Sequence, residues 1–351
     1  PEIAGVHDFE GTVIHTADWD DSFDPTGRRI GIIGTGATAV QLIPEMARQA
    51  ADLTVYQRTP IWVVPKVDIV FPTWAKRLFA RVPFTQRAIR IITDAIYEFF
   101  IFVGLHHRQR LFHLLNLGAA GIAKLFRDAM IRDPQLRAEL TPDYDLGCKR
   151  PTFSNRYYRA FTKPTVHLQT GGIERIESDA IVSADGTRTE IDTLILATGF
   201  DLWEANFPAI EIIGRDGRDL GKWWRENRFQ AYQGVSIPYF PNYLSLASPY
   251  AFLGLNFFNT VEYQMRHMDR LFNEVKRRDA DTFEISEAAN TEFLDAMTEK
   301  LATSVFNAGN CAASRSYYFN PHGEATLLRP TTTRAAIKAA EEFPLSDYLI
   351  G

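Results

Sequence analysis

Cysteine is nearly absent: Cys148 and Cys311 are the only two in 351 residues. Two thiols so far apart exclude a disulfide framework and a CxxC metal or redox site, and they fit a reducing compartment. No contiguous basic block occurs, and 38 Lys and Arg against 43 Asp and Glu give a net charge of −5. That balance argues against nucleic acid as a partner. No apolar run reaches the ~18 residues that a membrane span needs. The nearest, Ala95 to Leu105, contains Tyr97 and Glu98 and is followed by His106, His107 and Arg108. It reads as a buried amphipathic helix, with a membrane-surface contact through Phe99 to Val103 as the lesser reading. No secretory signal opens the chain, so a cytoplasmic protein is expected. A G-x-S-x-G elbow is missing. His106, His107 and His113 lack an H-E-x-x-H pattern or a carboxylate cluster, so they read as packing or surface histidines and no metal is expected.

What is present is a folded chain. Apolar residues make up 46 % and charged residues 23 %, and the length suggests about two domains at roughly 150 residues each. Residues 1–27 look loop-like. Residues 28–60 read as strand (Arg29 to Ile33), glycine turn, helix and strand (Leu53 to Gln57), closed by Pro60. Residues 72–140 have a helical pattern. Strands return at Thr165 to Gln169, around Ala184-Asp185-Gly186, and at Thr193 to Thr198; Asp-Gly between β-rich runs predicts a hairpin. Residues 201–260 read as irregular, and 261–280 and 284–304 as helices.

Gly34-Thr35-Gly36-Ala37-Thr38-Ala39 is a GxGxxA loop between an apolar strand and a helix. The first glycine permits the tight turn, the second lets backbone approach a pyrophosphate, and Ala39 permits close helix–strand packing. The helix start offers oriented N–H groups to phosphate. Pro44 should kink this helix or shift its hydrogen bonding. The second strand ends in Gln57-Arg58-Thr59, with no acid to hold the ribose hydroxyls of NAD. A guanidinium there suits a 2′-phosphate, so NADP is favoured over NAD, the alternative being a solvated strand-end charge. Cys148 beside Lys149 and Arg150 reads as a small core residue, or else as a thiol whose pKa its cationic neighbours lower.

Phe9-Glu10-Gly11-Thr12-Val13-Ile14-His15-Thr16-Ala17-Asp18-Trp19-Asp20 resembles FxGxxxHTxxW(P/D), the fingerprint of type I Baeyer–Villiger monooxygenases. Flavin-containing monooxygenases that oxidise nitrogen or sulfur lack its Thr-x-x-Trp part. Gln57 to Pro60, Cys148-Lys149-Arg150-Pro151, Leu196-Ala197-Thr198-Gly199-Phe200-Asp201, Phe240-Pro241-Asn242 and Asn256 to Gln264 also resemble segments of that family. The resemblance implies an α/β fold: a Rossmann-like NADP-binding domain over 28–200 with a helical insertion at about 70–145, preceded by the fingerprint linker 1–27. Residues 201–351 would be the C-terminal part of a second, FAD-type domain.

It further implies FAD and NADPH as cofactors, O2 as co-substrate, and oxidation of a ketone to an ester or lactone, or of a sulfide, through a C4a-peroxyflavin. Arg150 would be the cation that stabilises the peroxide and the developing oxyanion. Lys149 and Arg58 would hold the NADP 2′-phosphate, with Thr59 adding a hydroxyl. His15 would couple the NADP domain to the flavin site. Ala197, Thr198 and Gly199 complete the cofactor-binding set with Gly34 to Ala39.

Two departures stand out. The family carries two dinucleotide loops, and only the NADP loop is seen. The expectation is therefore that Pro1 marks where the first FAD half was lost, and that the apolar surface so left associates with that half or with itself. The family's Ser-Trp-Tyr element appears as Ser316-Tyr317-Tyr318, so substrate range does not transfer. The competing readings are an enzyme oxidising nitrogen or sulfur and a non-catalytic NADP-binding fragment. Trp203, Trp223, Trp224, Asn256, Glu262 and Gln264 are weaker site candidates.

Overall fold

The computed structural model describes residues 2–66, 68–105, 110–253, 257–311, 314 and 316–351. Pro1, His106, His107, Arg108 and Asn256 lie outside the described residues, as do the side chains of Phe100 to Val103. The chain runs through β1 (Thr12–His15), β2 (Arg29–Ile33), α1 (Ala37–Gln49), β3 (Asp52–Tyr56) and β4 (Val63–Val64). Then come α2 (Thr73–Arg81), α3 (Pro83–Leu105), α4 (Arg110–Met130), α5 (Pro134–Glu139), β5 (Thr152–Phe153) and α6 (Tyr157–Ala160). β6 (Val166–Gln169), β7 (Ile173–Ile176), β8 (Ala180–Ser183), β9 (Arg188–Glu190) and β10 (Thr193–Leu196) follow. The remainder is α7 (Leu202–Asn206), α8 (Leu220–Glu226), α9 (Phe257–Arg277), β11 (Phe283–Ile285), α10 (Glu287–Leu301), α11 (Val305–Ala308), α12 (Thr333–Glu342) and β12 (Tyr348–Ile350). Two compact units result: 1–69 with 117–200, and 70–116 with 201–351.

The first unit is built on a parallel sheet in the order β1-β10-β2-β3-β6. Its three central strands, β10, β2 and β3, are buried on both faces, as a covered parallel sheet demands. Alternation along each strand divides them between two cores. Ile30, Ile32, Leu53, Val55 and Ile195 join Val40 and Ile43 of α1 on one side. Ile33, Tyr56, Leu194 and Leu196 meet Phe9, Ile181 and Ile191 on the other. α1 runs through Pro44 without interruption from Ala37 to Gln49. The hairpin forms between β8 and β9, where Asp185 accepts the Thr187 N–H at 2.9 Å and Gly186 takes φ +83°.

β1 is a difference from the loop-like reading of residues 1–27. It pairs with β10 in register Thr12↔Thr193 to His15↔Leu196. Only Ile14 of its four residues is fully buried, so no period-2 pattern betrays an edge strand.

The second unit contains α2 and α3 and all the helices from α7 to α12. Stretch 201–260 is less irregular than expected, because α7 and α8 are capped by Asp201 and Asp219. Ser286 and Thr332 likewise cap α10 and α12. β11 and β12 pair antiparallel, Phe283↔Ile350 to Ile285↔Tyr348. Both cysteines are buried and neither is a free thiol. That corrects the reading of Cys148 as an activated thiol and removes the compartment argument drawn from unpaired cysteines.

Candidate functional site

β2 and β10 are parallel neighbours at which the strand order reverses: β3 and β6, which follow β2 in the chain, lie on one side, and β1, which precedes it, lies on the other beside β10. Ligands of open α/β sheets bind beyond the carboxyl ends of the strands at such a switch point. The GxGxxA loop leaves β2 at this place. The Gly34 N–H donates to Tyr56 O at 3.0 Å, and the Ala197 N–H donates to Ile33 O at 2.9 Å. Gly34 has φ +114°, and a Cβ there would stand 2.4 Å from Ala197 O. Only glycine fits on both counts.

Gly36 has the opposite surroundings. It is the residue before α1, with φ −70°, and no side chain caps the helix. A Cβ on Gly36 would meet nothing within 4 Å. The first turn of α1 holds no acidic residue. Its leading N–H groups have no partner within the helix and carry the positive end of the helix dipole. An open approach to uncapped amides at Ala37, Thr38 and Ala39 is what a phosphate requires.

The loop is pinned sideways: Thr35 Oγ1 donates to Thr59 O at 2.8 Å. This holds the end of β3 beside the glycine loop. Gln57 is buried there, with its Nε2 donating to Glu139 O at 2.7 Å. Arg58 is exposed and makes no ion pair among the described residues. Tyr144 extends the arrangement. Its hydroxyl donates to Pro60 O at 2.8 Å, and its carbonyl accepts Trp62 Nε1 at 2.8 Å. Burial pushes that hydroxyl pKa up, so it stays a donor. Lys149 Nζ sits 5.5 Å from the Tyr144 ring centre, within cation–π range. Arg150, the next residue, is exposed and precedes β5, which pairs with β4.

His15 ends β1 opposite Leu196. Its Nδ1 accepts the Ala17 N–H at 3.2 Å, and its ring meets Phe200 edge-on at 6.4 Å. Thr16 N–H donates to Leu196 O at 3.1 Å. The His15-Thr16 pair is thereby stitched to the segment Ala197-Thr198-Gly199, where Gly199 takes φ +88°.

Gly34 to Ala39, Thr59 and Ala197 thus come together at one end of the sheet. Arg58 sits on the same strand end, His15 borders it, and Tyr144 links Lys149 to it. Tyr144 is the residue that the sequence reading missed. It is far from Pro60 along the chain, and no local pattern marks a tyrosine as a bridge. Of the weaker candidates, Trp203 stacks on Phe207 at 4.7 Å and donates to Tyr317 O. Trp224 is buried and donates to Gln230 O, so both are packing residues. Glu262 pairs with Arg90 and Arg266 at the surface. Gln264 is fully buried and donates to Gly234 O at 2.7 Å. His113 is exposed, and no His, Cys, Asp and Glu cluster suited to a metal exists among the described residues.

A family model described as flavin-binding monooxygenase-like matches residues 2–109. The chain is 32% identical over 355 residues to a Baeyer–Villiger monooxygenase of Streptomyces coelicolor, covering 100% of this chain and 66% of that protein. It is 34% identical over 358 residues to an uncharacterized monooxygenase of Mycobacterium bovis, covering 99% of this chain and 69% of the other. The chain therefore spans about two thirds of the length of these relatives. Its fold matches that of OTEMO in complex with FAD and NADP, with a TM-score of 0.83 at 22% identity over 100% of this chain and 73% of the other.

Proposed function

Because the chain belongs to the flavin-binding monooxygenase-like family, together with Baeyer–Villiger monooxygenases, we propose that it supplies the NADPH site of an FAD- and NADPH-dependent enzyme that uses O2 to convert ketones into esters or lactones, with sulfides as further substrates. The observation that carries this reading is the open, uncapped start of α1 behind Gly36, with Arg58 exposed at the neighbouring strand end.

The residues present fit NADPH. The amides behind Gly34 and Gly36 take the pyrophosphate. Arg58, Lys149 and the Thr59 hydroxyl take the 2′-phosphate, where a planar guanidinium offers matched donors. When bound, FAD supplies the redox centre that receives the hydride and activates O2. Arg150 presents a cation to the negative charge that develops on oxygen during transfer, which lowers the barrier as a preorganised positive group does. His15 positions the turn at Ala197 to Phe200: its Nδ1 accepts the Ala17 N–H and its ring packs edge-on against Phe200.

Titration with NADPH and NADH tests the cofactor half. Arg58→Ala should weaken NADPH by about tenfold, ~1.4 kcal/mol, and leave NADH unchanged. Equal weakening of both would remove the 2′-phosphate assignment. In the FAD-loaded enzyme, Arg150→Ala should keep NADPH-driven flavin reduction and abolish oxygenated product. Product that persists would show that Arg150 has another role.

A further inference from the structure

We propose that residues 70–93 form a docking surface for an anionic lipid bilayer, which α2 and the start of α3 touch without crossing. The stretch holds five Lys or Arg and no Asp or Glu, in a chain whose net charge is −5. Lys76, Arg77, Arg81 and Arg87 are exposed, and their side chains enter no ion pair or hydrogen bond among the described residues. Arg90, the fifth, is taken by Asp94 and Glu262.

Among these free cations stand apolar side chains that a lone soluble surface rarely shows together. Val70 is 86 % exposed, Phe84 75 % and Trp74 69 %, with Leu78 and Val82 also open. In α2, Ala75 and Phe79 point inward, four residues apart, and Phe71 packs on Phe79 at 5.2 Å. Trp74, Leu78 and Arg81 follow the i, i+4, i+7 spacing and share another face, the one left outside. Aromatic and aliphatic tips interleaved with unpaired cations are the composition of a helix that lies in the interface of a negatively charged bilayer. No helix of the described residues is long and apolar enough to span one, so the contact is a surface contact. Charge complementarity selects an anionic bilayer over a two-fold contact with a second copy of the chain, which would set the same cations against each other.

Co-sedimentation with phosphatidylcholine vesicles, with and without phosphatidylglycerol, tests this without NADPH or FAD, so its outcome is independent of the proposed catalytic reading. The chain should sediment with the phosphatidylglycerol vesicles alone and release as salt shortens the screening length below about 10 Å. The triple change Lys76→Glu, Arg77→Glu and Arg81→Glu should reduce partition by at least about tenfold, as should Trp74→Ser with Phe84→Ser, with circular dichroism unchanged. Lipids brominated in their acyl chains should quench wild-type tryptophan emission more than that of Trp74→Phe. Equal sedimentation with neutral vesicles, none with either, or full binding by the charge-reversed chain would overturn the proposal. So would light scattering that shows a dimer dissolved by Trp74→Ser with Phe84→Ser, since the occupant would then be a second copy.

Discussion

Gly34 and Gly36 are two residues apart and face opposite constraints, so they separate folding from binding. Gly34→Ala places a side chain at φ +114° and 2.4 Å from Ala197 O. The left-handed conformation alone costs about 1–3 kcal/mol, and the clash adds to it, so thermal unfolding should shift sharply down. Gly36→Ala meets no atom within 4 Å and keeps an ordinary φ of −70°. Its melting temperature should stay put while NADPH affinity falls, because the methyl group occupies the phosphate approach. Calorimetry and an NADPH titration check the pair; unchanged affinity in Gly36→Ala would remove the pyrophosphate from this loop. At this scale the sequence was legible wherever spacing alone encodes geometry, as in GxGxxA. It was illegible at Tyr144, whose contacts with Pro60 and Lys149 join segments far apart in sequence.

Elements show the same division. β2, β3, α1 and the β8–β9 hairpin are continuous local patterns and were readable. β1, β11 and β12 are short strands of three or four residues that find distant partners, and nothing local announces them. β12 is held by a buried group with a testable titration. His267 of α9 is fully buried, lies over Phe343 at 4.0 Å, and has Nε2 2.7 Å from the Tyr348 hydroxyl. Burial first, then the charges of Arg329 and Arg270, holds its pKa down at about 3, against 6.5 in an unfolded chain. The folded form keeps His267 neutral while the unfolded form gains a proton below 6.5. Stability from this group is therefore complete above pH 6.5 and is lost progressively as pH falls toward 3. The loss is at most roughly 5 kcal/mol. Urea midpoints measured across that range should fall for the wild type and fall less for His267→Gln. Parallel slopes would place the acid sensitivity elsewhere.

The chain as a whole passes between its two units at 69/70, at 116/117 inside α4, and at 200/201 directly after Gly199 and Phe200. Composition changes little at these points, and a grouping that joins 70–116 to 201–351 depends on contacts between segments far apart in sequence. Helical periodicity over 72–140 could therefore announce helices but not the unit each one joins. The division has a consequence for ligand binding. Every residue assigned to NADPH, from Gly34 through Arg58 and Lys149 to Gly199, belongs to the unit 1–69 with 117–200. A ligand stabilises the structure that forms its site, by about 2.7 kcal/mol at one hundred times its dissociation constant. Hydrogen exchange with saturating NADPH should then slow amides of β2, the glycine loop, the end of β3 and the end of β10. Amides of β11, β12 and α10, which contribute no assigned contact, should exchange at their former rates. Protection confined to the first set would support one self-contained cofactor unit. Equal protection of both sets would mean that the two units open together and that the cofactor site cannot be ascribed to one of them.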